Sequence, residues 1–478
     1  MLLAKKIAGV GQKILAIIVI FLILVFALGN RSRAPLKVLA IVWFICVAPL
    51  ATGIVSYTYL SYSDPSLPLT LIGFLTCFTS GVLLSDLNSL PNQPVPDQVA
   101  SVLIRKEFLR TRPLARLCWW VAVIGTACIS IDFFSLQGAG LNDIAALRDA
   151  YVGKTEATFF ARLGSVLTWA CPYCFAYALT YRQHMSRLAV LTYLMPIGGY
   201  FLILLFSAGR QAAFQIMIIT LLILWINRIR QSKGARRSTS RSGTIIALVI
   251  SILMVAYMGF IAVVRNDGNL SDDKAEVLTT LFDLKVNTQF NNLLMVFGTG
   301  IRSTVTEAVV YFSSSIAIFS KFLSISIPDN SFGAMSFPFV FRQLQPLTGI
   351  DVIGAYTLKV DLMSSAGVIG VGWQTAVSAY IQDFGIIGAC MFLFLQGYYT
   401  AYSWRRAING FGFNEAIIAV ILLTSVAYMP LIAASSDTNL FLLWIFCVLT
   451  TQRGAFRTPL RRKAETTLHG VTVKKRLQ

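Results

Sequence analysis

A succession of apolar runs, several of them about 18 residues or longer, narrows what this chain can fold into more than any other feature. A run of that length crosses a hydrocarbon core roughly 30 Å thick as a single helix. Inside such a core each backbone N–H and C=O must find its partner within the segment, which selects helices over open strands. A membrane barrel would instead need strands of about ten residues alternating apolar with polar, and these runs do not alternate. With 56% hydrophobic and only 13% charged residues among 478, the sequence predicts an all-α polytopic membrane protein.

About eleven spans are expected: Ile7–Leu28, Val38–Tyr59, Leu67–Leu84, Leu117–Phe134, Leu163–Tyr181, Leu188–Phe206, Gln211–Ile226, Thr244–Val264, Ala379–Trp404, Glu415–Ala434 and Leu440–Thr451. The organisation that follows is helices 1–8 over residues 1–264, a large outer loop over 265–378, helices 9–11 over 379–451 and a basic tail over 452–478. The start of the chain has two lysines before an apolar run but no small-residue cleavage site after it, so it reads as a retained first span.

The formal charge of +19 raises the question of nucleic acid, and its distribution answers it. Asn227–Gly243 carries six basic residues and no acid, and the stretch after Thr451 carries eight basic residues and one acid. Both flank predicted spans, which is the positive-inside pattern and a contact for anionic lipid rather than a nucleic-acid surface. Membrane lipid is therefore the expected partner of these clusters, and no nucleic acid is expected. The connections Asp86–Arg116, Arg182–Arg187, Asn227–Gly243 and Arg405–Arg406, with the C-terminal tail, are assigned to the cytoplasm. Ser61–Ser66, Ser135–Arg162, Ser207–Arg210, Arg265–Ser378 and Ser435–Asn439 fall outside. The N-terminus leaves two alternatives. Lys5, Lys6 and Lys13 ask for the inside, but so do Arg31, Arg33 and Lys37 after the first span. Either that span runs outside to inside, or the count is off by one. Val305–Phe322 is a candidate for the missing passage and reads as an interfacial or re-entrant helix.

The long outer loop has seven basic and nine acidic residues and twelve Phe and Tyr residues, including Tyr311, Phe337, Phe339 and Phe341. Disordered linkers are poor in aromatics, so the loop is expected to fold and pack on the bundle. Ordered loops of this length tend to carry function.

Arginines on the outer side are the first candidates for chemistry. Arg210 lies in Ser207-Ala208-Gly209-Arg210, where an apolar stretch twice one span's length must turn back. That puts a cation near a helix N-terminus, which is unfavourable unless an anion is bound there too. The simpler reading is an arginine reaching to the interface. Arg265 ends its helix on the outer side, where the positive-inside pattern disfavours it. Arg148, Arg302 and Arg342 are further outer arginines; each alone reads as a solvated loop charge, and together they suggest a site for phosphate. Asp383 opens a span, where an acid suits the first turn and makes a weak general base. Glu307 lies in a more apolar stretch, where desolvation raises a carboxyl pKa, and is the alternative proton acceptor. Tyr311, Trp373 and Tyr380 are candidate stacking surfaces for sugar rings, each also explained by packing.

Other chemistries find less support. His184 and His469 both fall on the cytoplasmic side, so an outer site has no histidine, and no outer cluster has metal-ligand spacing. No phosphate-binding Walker loop is present. Gly367, Gly370 and Gly372 lack the strand–helix unit a dinucleotide site needs. Cys171-Pro172-Tyr173-Cys174 has redox spacing but sits in a span, so its thiols read as buried beside a proline.

Taken together, Phe206-Ser207-Ala208-Gly209-Arg210, Val263-Val264-Arg265, the stretch Tyr311–Phe319 in one large late loop, and Ala379–Gly388 closing it resemble the Wzy-type oligosaccharide repeat-unit polymerases, which build O-antigen and related bacterial surface polysaccharides. The resemblance covers most of the chain in architecture and only these short stretches in motif. It implies a GT-C-like membrane glycosyltransferase of the bacterial inner membrane, with its site facing the periplasm and its C-terminus in the cytoplasm. The implied substrates are glycans on undecaprenyl pyrophosphate, with no cofactor or metal and with a polysaccharide chain-length regulator as a partner. It assigns Arg210 and Arg265 to the departing pyrophosphate, then Arg342, then Arg148 and Arg302. The related O-antigen ligases are expected to use an outer histidine, which is lacking here. Other lipid-linked glycan transferases, and a polysaccharide or lipid transporter, are the competing readings.

Overall fold

The structure is a computed structural model that describes residues 16–30, 33–57, 66–88, 97–135, 158–206, 210–232, 284–296, 299–325, 331–349, 351–365, 375–409 and 412–455. The expected span Thr244–Val264, the basic tail, and the candidates Arg148, Arg265 and Trp373 lie outside the described residues. The helices are α1 Ala16–Leu28, α2 Ala34–Ala51, α3 Ser66–Leu87, α4 Asp97–Ser135, α5 Phe159–Leu167, α6 Ala170–Tyr181, α7 Arg187–Phe206 and α8 Arg210–Ser232. They continue as α9 Thr288–Met295, α10 Thr299–Leu323, α11 Pro338–Thr348, α12 Val352–Ser365, α13 Ala376–Asn409, α14 Phe413–Tyr428 and α15 Thr438–Ala455. Among the described residues, four stretches are long and apolar enough to cross a membrane: α2, α3, Ile104–Asp132 within α4, and α13. Shorter apolar helices are Ala16–Leu28, Ala308–Leu323, Phe413–Tyr428 and Thr438–Thr451.

These helices pack into two adjoining apolar cores. One is built from α1, α2, α3, α10 and α13, the other from α4, α6, α7, α8, α14 and α15. The helix α13 serves both: Leu393 and Ala401 lie in the first core, and Trp404, Ala407 and Ile408 in the second. It lies against α3 at backbone contact. A Cβ on Gly81 would collide with the Phe394 carbonyl oxygen, and one on Gly397 with that of Phe78. Small residues allow this approach where lipid supplies no hydrophobic drive between helices, because van der Waals packing is then the main attraction.

The connections sort to two ends. At one, Asp86 pairs with Arg33 at 2.7 Å and with Arg405 at 3.1 Å, and Arg405 also donates to the Ser85 carbonyl and hydroxyl. Arg230 Nε donates to the Ala407 carbonyl at 2.6 Å and its Nη2 to that of Gly412 at 3.1 Å. The Glu107 carboxylate accepts from the Phe413 N–H at 3.1 Å, and Arg406 pairs with Glu415. The basic connections therefore meet here, and α15 brings the chain back to this end, where Asn414 Nδ2 donates to Thr450 Oγ1 at 2.7 Å. Arg33 belongs to the same end, so α1 delivers the chain to it.

The other end gathers the remaining connections. Two strands, β1 Val55–Tyr57 and β2 Leu284–Val286, pair antiparallel with Val55 opposite Val286 and Tyr57 opposite Leu284. The Tyr57 hydroxyl donates to the Val310 carbonyl at 3.2 Å and lies 2.9 Å from Ser313 Oγ. Thr168 Oγ1 donates to Asn439 Oδ1 at 3.2 Å, and Thr158 Oγ1 to Asp132.

Three expectations change. The long loop contributes a strand, β2, which pairs with β1 before α3. Asp86–Arg116 is largely helix, because α4 begins at Asp97 and extends beyond its apolar segment. The predicted span Leu163–Tyr181 divides at Thr168-Trp169 into α5 and α6. Val305–Phe322, expected as an interfacial or re-entrant helix, has one face in the first apolar core. It belongs to α10, which lies along α2 with Val310, Ile316 to Phe319 and Phe322 in the core. Its serines enter without loss, since Ser313, Ser314 and Ser315 donate to the carbonyls of Val309, Tyr311 and Phe312 at 2.7, 3.0 and 2.9 Å. Cys171 and Cys174 are buried in α6, as the packing interpretation of that motif expects.

The backbone contact gives a stability prediction. Gly81→Val and Gly397→Val, alone, should each lower the apparent melting temperature in detergent and the yield of monodisperse protein. Gly73→Val, where a Cβ meets nothing within 4 Å, should leave both unchanged. Equal stability of all three variants would contradict the α3–α13 packing.

Candidate functional site

The second end is organised by a break in α13. Gly385 sits at φ 68°, ψ 178°, a conformation that L side chains rarely adopt. The half-helix 376–384 doubles back on the rest: the rings of Tyr380 and Phe384 lie 4.5 and 5.9 Å from that of Phe392, and the Ala376 N–H donates to the Met429 carbonyl at 2.9 Å. A break of this kind deprives the preceding carbonyls of their helical donors. Here the turn 331–336 replaces them, with the Ser331 N–H on the Gln382 carbonyl at 3.0 Å and the Phe332 N–H on that of Asp383 at 3.1 Å.

The Asp383 side chain completes the joint. Its Oδ1 accepts from Ser331 Oγ at 2.7 Å and the Met335 N–H at 3.0 Å; its Oδ2 accepts from the Ser336 N–H at 2.7 Å and from Ser336 Oγ. The residue is fully buried. Four donors fill the lone-pair positions of a carboxylate. In this arrangement Asp383 anchors the turn to the broken helix, and the weak-base role expected of it has no open oxygen to act through. The turn needs two residues at positive φ, Phe332 at 48° and Gly333 at 105°.

From this joint the contacts run to two other elements. Ser435 Oγ donates to the Ser336 carbonyl at 2.6 Å. Two residues on, Asp437 caps α15 by accepting from the Leu440 N–H at 3.1 Å, and the Gln215 side chain also reaches it. Burial raises the Asp437 carboxyl above the usual carboxylate range, against those hydrogen bonds. Gln215 belongs to α8, which opens at Arg210, about 7.5 Å earlier along the helix. The start of α8, the 433–437 link, the 331–336 turn and the half-helix 376–384 are thus brought to one end.

Lys359 on α12 reaches the same half-helix. Its Nζ donates to Ser378 Oγ at 3.2 Å and sits 5.0 Å from the centre of the Phe322 ring. The side chain is 4% exposed. Burial lowers its pKa from 10.5 to about 7, partly opposed by the field of Asp383. Sequence reasoning missed this lysine. The only hint is its place between Leu358 and Val360, which by itself does not separate a buried lysine from an exposed one.

The other candidates are more scattered. Tyr380 is buried at the fold-back, where its ring packs on Phe392 rather than facing solvent. Arg302 is half-buried and ties α10 to α9 through Asn291 Oδ1 at 2.8 Å. Tyr311 is half-buried on α10, beside the segment that Tyr57 contacts. Arg342 is exposed on α11. For Arg210 and Glu307 the backbone position alone is described, at the start of α8 and within α10. The structure therefore brings Asp383 and Tyr380 to one joint and the Arg210 helix start to the same end, whereas Arg302 and Tyr311 belong to the β-ribbon region. No family model, curated protein or solved structure matches the chain.

Asp383→Asn leaves an amide facing backbone and hydroxyl donors, and each unmet buried group costs on the order of 1–3 kcal/mol. It should lower the melting temperature in detergent clearly, and Ser336→Ala, which removes one donor of four, should lower it less. Wild-type melting of Asp383→Asn would remove its anchoring role.

Proposed function

We propose that this protein is a membrane glycosyltransferase that polymerises oligosaccharide repeat units carried on undecaprenyl pyrophosphate. The acceptor unit's hydroxyl oxygen attacks the reducing-end anomeric carbon of the growing glycan. A new glycosidic bond forms, the bond to the pyrophosphate oxygen breaks, and the hydroxyl proton passes to a base. Charge develops on the departing pyrophosphate, where fixed guanidinium groups stabilise it most directly. Arg210 and Arg265 take that role, with Arg342, Arg148 and Arg302 on the flanking phosphate and Tyr311 and Trp373 against sugar rings. Glu307 is the proton acceptor in this reading, since the Asp383 oxygens are occupied.

The observation that carries the reading is the sorting of connections. The helix that Arg210 opens, the 331–336 turn and the link 433–437 meet at the end opposite Arg33, Arg230 and Arg405. With the basic end in the cytoplasm, that site faces the periplasm across the inner membrane, and the C-terminal tail is cytoplasmic. The proposal includes about eleven spans and a GT-C-type fold.

One observation favours a second reading. A discontinuous helix such as α13 is characteristic of transporters, which bind substrate at half-helix ends. The two readings separate in the host. Deleting the gene and resolving its surface polysaccharide on a gel should leave a single repeat unit on the acceptor and no long-chain ladder. Absence of even one unit points to a transporter or ligase, and a normal ladder contradicts all three. Arg210→Ala should abolish the ladder with the protein still present in the membrane, and Arg210→Lys should restore it in part. A full ladder from Arg210→Ala removes this residue from the site.

A further inference from the structure

Among the described side chains of α12, the seam to the bundle is narrow. Of these only Lys359 and Met363 are buried, four residues apart and so on one face. Thr357, Leu358, Asp361, Ser364 and Ser365 are all exposed. Met363 enters the first apolar core, while Lys359 passes between Phe322 of α10 and Ser378 of α13. One of the two buried side chains described in this seam is thus a lysine. Among the described residues it makes no ion pair within 4 Å. An ammonium has three donors, and one is used here, on a hydroxyl that itself donates to the Thr375 carbonyl at 2.7 Å. Burying an ammonium without a counterion is costly, and the inexpensive way to keep the contact is to release the proton.

We infer that Lys359 is a proton-sensitive latch, which holds α12 against α10 and the half-helix 376–384 when neutral and loosens that docking when charged. The inference is independent of the reaction the protein catalyses. Of the charged groups on the neighbouring elements, Asp383 on the half-helix acts on the lysine; Lys321 precedes Phe322 in sequence order on α10, and Arg342 on α11 and Asp361 on α12 are exposed. The attraction to Asp383, whose carboxylate is already shared among four donors, leaves the lysine's pKa well below its ordinary value.

The direction follows from linkage. The docked lysine titrates at about 7 and a free one at 10.5, so between those values docking releases a proton. Docking is strongest above the free value, weakens by up to tenfold per pH unit as pH falls, and levels off below the docked value. From pH 9 to pH 7 the opening equilibrium should rise roughly fifty-fold.

Hydrogen–deuterium exchange of the full-length protein in nanodiscs, read on peptides covering 352–365, tests this. Comparing variants at the same pH cancels the intrinsic exchange chemistry. Wild-type protein should open far more at pH 7 than at pH 9. Lys359→Met should be protected at both values, and Lys359→Arg, which cannot shed its charge, should be open at both. Peptides from α14 serve as the folding control. A wild-type opening constant that does not change with pH, or a Lys359→Met helix more open than wild type at pH 7, would overturn the latch.

Discussion

The joint between Asp383 and the 331–336 turn is the interaction on which the rest of the site depends. Burying a carboxylate costs several kcal/mol unless its lone pairs are satisfied. The same residues that satisfy it also cap the carbonyls exposed by the break at Gly385. Side chain and backbone therefore solve one problem together: the helix is free to fold back because the turn completes it, and the turn keeps its positive-φ residues because the helix holds it. Charge-assisted bonds of this kind are roughly twice as strong as neutral ones. The link from Ser336 to Ser435 then extends the joint to the loop between α14 and α15.

The same long helix carries the constraint to the opposite end. Backbone contact through Gly81 and Gly397 fixes α13 against α3, and Arg405, one turn before its end, shares Asp86 with Arg33. Two cations on one half-buried carboxylate bring the start of α2, the end of α3 and the end of α13 together. Disturbing α13 at either end should therefore be felt along its length, since it is common to both apolar cores.

Much of this architecture is legible in the sequence, because apolar length and the placement of Lys and Arg act through the membrane on each segment separately. Those signals survive without knowledge of tertiary contacts: the expected grouping put Arg230 and Arg405 on one side, and the structure has both at one end, while the side of Arg33 was left open. What was not legible depends on pairing between distant segments. Val55–Tyr57 and Leu284–Val286 become strands only because they meet. Ser313 to Ser315 look like interruptions of an apolar run until their hydroxyls are seen to return to the helix's own carbonyls. Asp383 was visible as an acid at the start of a span, but its role was set by a turn some fifty residues earlier. Lys359 was hidden because nothing local distinguishes a lysine on an exposed face from one on the buried face of the same helix.

The broken-helix joint and the Asp86 cluster mark opposite ends of the bundle, and the proposed orientation puts the joint outside the cytoplasmic membrane. That orientation is tested most directly in a cysteine-free background carrying either Phe332→Cys or Leu87→Cys, both at exposed positions. A membrane-impermeant maleimide applied to spheroplasts should label the cysteine at 332 at once and the one at 87 only after the membrane is opened. Equal labelling of both, or the reverse order, would contradict the account.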